Sequence, residues 1–240
     1  MGFPGVILFS FVVGLSTVSG VYLVKYYTDW TKRNSIYMIS FAGGVLVATA
    51  FLEILPEAAI LSSRWYVAAA AGVVALFVLE HFMAIHECQD EECDIHSSGN
   101  ISALGIGVHS FIDGVVIGTG FQVNVSLGVV TSLAVIVHEL PEGAFTYGLL
   151  IGSGSTERRS LIIGWVVALA TPVGTVLTYL ALQGLGQGIL GIMLALSGGT
   201  FIYVGLADLL PQVHRRPNIR KLAVVLAGIV FVIAVSLIFG

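Results

Sequence analysis

Charge is scarce in this chain. Its 240 residues include ten Lys or Arg and fourteen Asp or Glu, so charged side chains make up 10%, where a soluble domain carries roughly 25%. Too few charges remain to cover a water-facing surface, which excludes a soluble globular fold. A net charge of −4 with so few basic residues excludes nucleic acid as a partner. Two cysteines cannot build a disulfide framework. No phosphate-binding Gly-x-x-x-x-Gly-Lys loop occurs, so the chain by itself cannot draw on nucleotide hydrolysis.

Apolar residues are abundant instead. They make up 57% of the chain, and the mean hydropathy is +0.98. Such a composition suits lipid, where one spanning helix takes about 20 residues. Eight apolar segments follow one another, at 4–24, 35–60, 65–86, 101–121, 125–151, 160–182, 187–212 and 219–239. Short polar separators such as TDWTKRN, GSGSTERR and HRRPN divide them. The runs far exceed the 9–11 residues of a tilted barrel strand, and a helix satisfies its own backbone in lipid. The expectation is an all-α integral membrane protein with eight transmembrane helices. No basic residue precedes the first apolar run, so that run is read as a span rather than a signal peptide.

The basic residues set the orientation. Lys25, Lys32, Arg33, Arg158, Arg159, Arg215, Arg216, Arg220 and Lys221 share one side of an eight-span chain, and Arg64 alone falls on the other. The positive-inside rule turns both termini outside and puts the acidic 87–100 loop in the cytoplasm. Residues 1–240 are then one transmembrane domain with that loop inside it.

The chain also carries an internal repeat. Gly43-Gly44, Glu53 and Pro56 recur as Gly198-Gly199, Asp208 and Pro211, at a constant offset of 155. The first set lies in span 2 and the second in span 7, which cross in opposite directions. This is the pattern of an inverted repeat, spans 1–3 against 6–8, around a central pair, spans 4 and 5.

Spans 4 and 5 carry the chemistry. Span 4 reads His109-Ser110-Phe111-Ile112-Asp113-Gly114, and span 5 reads His138-Glu139-Leu140-Pro141-Glu142-Gly143. In each, a histidine and a carboxylate stand four residues apart, on one helix face. Two imidazoles and two carboxylates directed at one point suit a first-row divalent cation. An ionised residue at the bilayer centre costs about 2.5–3.5 kcal/mol or more. Neither span carries Lys or Arg, so a metal is the fitting positive partner. Pro141 removes a backbone N–H and is expected to bend span 5. Gly114, Gly118 and Gly143 allow close helix approach.

The paired motifs HSFIDG and HELPEG resemble those of the ZIP (Zrt/Irt-like) family of metal transporters. Glu53, Pro56 and Glu57 in span 2, and Asp208 and Pro211 in span 7, resemble the family too, so the likeness covers nearly the whole chain. It implies eight spans, both termini outside and a variable metal-binding loop between spans 3 and 4. It implies import of Zn²⁺, or of Fe²⁺, Mn²⁺ or Cd²⁺, toward the cytoplasm, with no catalytic cofactor and no enzymatic activity. The primary metal site would be His109, Asp113, His138 and Glu142. Ser110 and Glu139 would supply a second metal site or a relay. Two departures weaken that second site: Ser110 stands where many members have Asn, and Thr171 where several have Glu.

Other polar residues carry two readings each. Glu53, Glu57 and Asp208 are candidates to line the ion path, or they stabilise helix ends. The loop residues His86, Cys88, Cys93 and His96 are candidates to capture metal in the cytoplasm, or they belong to a solvated acidic loop. Glu80 and His81 close span 3 on the same side. The further expectations are a prokaryotic plasma membrane, the lipid bilayer as surroundings, and a homodimer. Two other function classes stay open. An intramembrane metal-dependent hydrolase would use the same ligands, but no His-Glu-x-x-His motif occurs. A metal-sensing receptor would bind without transporting.

Overall fold

The computed structural model of the chain describes residues 3–83, 99–215 and 218–239. Every regular element among them is a helix. The elements are α1 (Phe3–Thr49), α2 (Leu55–Leu61), α3 (Trp65–Met83), α4 (Gly99–Val123), α5 (Val125–Gly152), α6 (Glu157–Ala181), α7 (Gln187–Tyr203), α8 (Leu210–His214) and α9 (Ile219–Phe239). Two π turns, Ala50–Ile54 and Val204–Leu209, join α1 to α2 and α7 to α8. Six helical stretches are long and apolar enough to cross a membrane: Phe3–Leu61, Ala103–Val123, Val125–Gly152, Glu157–Ala181, Gln187–His214 and Ile219–Ile238. Trp65–Leu79 is a shorter apolar helix.

The separator expected after the first apolar run is helical. α1 is two helical segments that meet at a kink at Tyr27 (φ −131°, ψ 45°), and residues 28–34 begin the second. The stretch contains no Gly or Pro to stop it. Its polar side chains instead fold back on carbonyls four residues earlier: Thr28 Oγ1 on Val24 at 2.7 Å, Thr31 Oγ1 on Tyr27 at 2.9 Å, Arg33 Nε on Asp29 at 3.1 Å and Asn34 Nδ2 on Trp30 at 2.8 Å. α5 likewise runs through Pro141 as one helix.

The two π turns share a setting. Each ends just before a proline, Pro56 or Pro211. The N–H of the residue ahead of that proline reaches back five residues, Leu55 to the Ala50 carbonyl and Leu210 to the Gly205 carbonyl. A proline ring clashes with the carbonyl four residues before it, and widening the turn moves that carbonyl away. Glu53 and Asp208 lie inside these turns.

Close packing around α4 and α5 rests on small residues. A Cβ on Gly143 of α5 would stand 2.0 Å from the Thr17 carbonyl oxygen on α1, and one on Gly20 of α1 would stand 2.0 Å from the Leu140 carbonyl oxygen. A Cβ on Gly114 of α4 would stand 2.3 Å from the Thr171 carbonyl oxygen on α6. These backbones touch, so α1 seats α5 and α6 seats α4 without intervening side chains.

Candidate metal centre

α4 and α5 bring their matched faces together. His109, Asp113, His138 and Glu142 each offer a ligand atom, and these atoms all lie within 4.8 Å of one another. Asp113 is the hub. Its Oδ2 stands 3.1 Å from His138 Nε2 and 3.4 Å from His109 Nε2. His109 Nε2 lies 3.6 Å from Glu142 Oε2. Asp113 and His138 are buried, while His109 and Glu142 are partly open.

Neighbouring groups orient these side chains. His138 Nδ1 lies 3.2 Å from the Ala134 carbonyl oxygen. A carbonyl only accepts, so Nδ1 carries the hydrogen and Nε2 is left for the cluster, the arrangement usual for a metal-binding imidazole. The Phe201 ring of α7 meets the His138 ring edge to face, with centroids 6.0 Å apart. Ser110 Oγ donates to Glu142 Oε1 at 2.6 Å and leaves Oε2 facing His109. His109 Nδ1 is buried with no hydrogen-bond partner in the protein.

A cavity of about 550 Å³ reaches this centre. His109, His138 and Glu142 line it, together with Asp208, His81 from the end of α3 and Arg215 beyond α8. Two imidazoles and two carboxylates beside such a space can replace the hydration waters of a divalent cation and release it again. Nitrogen and oxygen donors without thiolate suit exchange.

The remaining sequence candidates fall in different places. Asp208 shares the cavity with the cluster. Glu53 and Glu57 line a separate pocket of about 420 Å³ with Asn124 and Ser126, where Asn124 Nδ2 donates to Glu57 Oε1 at 3.3 Å. Glu139 is held by Thr17 and Thr171. His86, Cys88, Cys93 and His96 lie outside the described residues, as does most of the 87–100 loop. Sequence reasoning gives no notice of Thr17. Short hydroxyl residues in membrane helices commonly bond their own preceding turn, as Ser19 does with the Leu15 carbonyl. Nothing in the surrounding LSTVSG sets Thr17 apart.

Known proteins resemble part of the chain. It is 38% identical over 109 residues to the zinc transporter ZIP4 of Rattus norvegicus, covering 45% of this chain and 16% of that protein. It is 29% identical over 147 residues to the zinc transporter foi of Drosophila melanogaster, covering 58% and 20%. It is 32% identical over 128 residues to the metal cation symporter ZIP14 of Bos taurus, covering 50% and 24%. The matched stretch thus spans less than a quarter of each of these relatives. A family model described as ZIP zinc transporter runs through residues 84–236, which include all four clustered side chains and both helices that carry them; the chain belongs to the ZIP zinc transporter family.

Proposed function

We propose that the chain moves a divalent transition metal ion, Zn²⁺ before Fe²⁺, Mn²⁺ or Cd²⁺, through the membrane toward the cytoplasm. His109, Asp113, His138 and Glu142 bind one ion midway. The observation that carries this reading is the convergence of four ligand atoms from two adjacent helices within 4.8 Å. Four ligands complete a tetrahedral set and leave no position for an attacking water, which favours carriage over hydrolysis. The relatives named above are transporters of zinc or of metal cations, which supports the same reading.

Eight spans account for the helices. Phe3–Leu61, 59 residues long, is more than twice what one crossing of about 20 residues needs and kinks at Tyr27. Trp65–Met83 supplies another span. The inverted repeat gains support from the π turns. Shifted by 155, the turn at Ala50–Ile54 falls within the one at Val204–Leu209, and each holds an acid and precedes a Leu-Pro pair. Both termini face outside, residues 1–240 act as one transporter domain, and 87–100 is its cytoplasmic loop. The cavity at the centre is lined by Arg215, which belongs to the basic side, so it is the way out to the cytoplasm. Asp208 and His81 lie along it. The pocket of Glu53 and Glu57 is the outer mouth. A homodimer in a prokaryotic plasma membrane completes the reading.

Purified protein in liposomes should take up zinc down its gradient, at a rate that saturates with zinc concentration. Zinc binding without flux would instead favour a sensor. The topology has its own test. Impermeant thiol reagents added outside intact cells should miss Cys88 and Cys93 and label them only after permeabilisation; ready labelling from outside would reverse the orientation.

The loop should tune transport without creating it, because the four membrane ligands are complete without it. Replacing His86, Cys88, Cys93 and His96 together should leave at least about half of the zinc flux, a loss well under the tenfold that 1.4 kcal/mol represents. Complete loss in a folded variant would make the loop part of the path.

A further inference from the structure

Glu139 follows a proposed metal ligand in sequence, yet its carboxylate is committed elsewhere. It is 0% exposed. Thr17 of α1 donates to Oε2, and Thr171 of α6 donates to Oε1 at 2.6 Å. Thr17 and Thr171 are themselves 0% exposed. Both oxygens of a buried carboxylate are therefore engaged by hydroxyls from two other helices.

The same level of the protein is where the helices grip one another. Ser16 Oγ of α1 donates to the Ile136 carbonyl of α5 at 2.6 Å. Gly20 and Gly143 bring α1 and α5 into backbone contact, and Gly114 lets α4 rest on the carbonyl of Thr171. Thr171 thus holds Glu139 with its side chain and seats α4 with its backbone. Glu139 is thus a polar link from α5 to α1 and α6, beside the direct bonds of α5 to α4 through Ser110–Glu142 and Asp113–His138.

We infer that Glu139 is a positioning residue: through Thr17 and Thr171 it sets the rotation of α5, aims His138 and Glu142 at His109 and Asp113, and does not itself hold the ion. The tolerance makes such a device necessary. A rotation of about 20° sweeps a side-chain end by about 2 Å at the ~5–6 Å radius of a helix. Metal–ligand distances tolerate about 0.2 Å. Apolar packing and glycine contacts hold the helices close, and a directional hydrogen bond adds to their resistance to rotation. A carboxylate pulled by hydroxyls from two directions resists it in both senses. Glutamine can make the same two bridges, because its oxygen accepts from Thr171 and its NH₂ donates to the Thr17 hydroxyl.

The inference rests on the four-residue centre holding the metal, and the test separates the two. Zinc affinity and stoichiometry are measured by calorimetry on the full chain in detergent, for the wild type, Glu139→Gln, Glu139→Ala, the pair Thr17→Val with Thr171→Val, and Asp113→Ala. Glu139→Gln should stay within about threefold of wild-type affinity. Glu139→Ala and the threonine pair should lose about tenfold or more, the scale on which groups that orient ligands act, with one zinc per chain throughout. The threonine pair keeps the carboxylate and removes only its donors. If Glu139 were a ligand or a required charge, that pair would bind as wild type while Glu139→Gln would fail like Glu139→Ala. Either result would overturn the inference, and the contrast holds even if Glu139→Ala does not fold. Wild-type zinc binding by Asp113→Ala would overturn the metal centre instead.

Discussion

Alanine in place of His109, Asp113, His138 or Glu142 is expected to abolish most zinc flux and to weaken zinc binding by on the order of 100-fold or more. Partners that merely orient a ligand cost 10–100-fold when removed, so a ligand itself must cost at least as much. The two acids carry a further burden. In a medium of low dielectric a dication needs negative charge beside it, and Asp113 approaches both imidazoles. Asp113→Ala should therefore be the most severe of the four. Ser110→Ala should be milder, about tenfold, because Ser110 reaches the Ile106 carbonyl and, on Glu142, the oxygen that does not face His109. Uptake by the wild type should also weaken as pH falls, since protons compete with the metal for imidazole nitrogen. The measurement is initial zinc uptake in liposomes, normalised to folded protein. Near wild-type flux in two of the four variants would remove the assignment.

Gly143→Val is expected to be among the most disruptive single changes outside the proposed metal centre. Its Cβ would stand 2.0 Å from the Thr17 carbonyl oxygen, a backbone atom that cannot rotate aside. Overpacking of side chains costs about 1–3 kcal/mol, and a clash with backbone should exceed that by prising α1 from α5. Gly148→Ala, one helical turn and a residue further along, is the control: nothing lies within 4 Å of its added Cβ. It should be neutral or stabilising by up to about 1 kcal/mol, the helix preference of Ala over Gly. Thermal unfolding in detergent should show a large drop for Gly143→Val and none for Gly148→Ala. Equal unfolding temperatures for the two variants would contradict the packing described for α1 and α5.

The centre is legible in the sequence because its geometry is local. A residue and its fourth successor share a helix face whatever the fold, so spacing alone pairs His109 with Asp113 and His138 with Glu142. The acids and prolines of the repeat are legible too, but the π turns are not. Proline announces a conflict with the carbonyl four residues back, not how the backbone resolves it. The polar run after Tyr27 looks like a separator because it is charged. It stays helical because charge alone does not stop a helix and its side chains bond back to the preceding turn. Thr17 and Thr171 are illegible as partners of Glu139. Their contacts cross 122 and 32 residues, and a lone threonine in an apolar helix carries no sign of where its hydroxyl points. Sequence groups Glu53, Glu57 and Asp208 together, while the structure divides them between two cavities.

X-ray absorption spectroscopy of the zinc-loaded protein tests the central claim most directly, because it reports the atoms bound to the ion. The account predicts four nitrogen or oxygen neighbours at about 2.0–2.1 Å with an imidazole signature, no sulfur at about 2.3 Å, and loss of that signal when His109, Asp113, His138 and Glu142 are replaced together. A sulfur neighbour, or an unchanged spectrum in that fourfold variant, would put the bound ion on Cys88 and Cys93 or elsewhere and contradict the account.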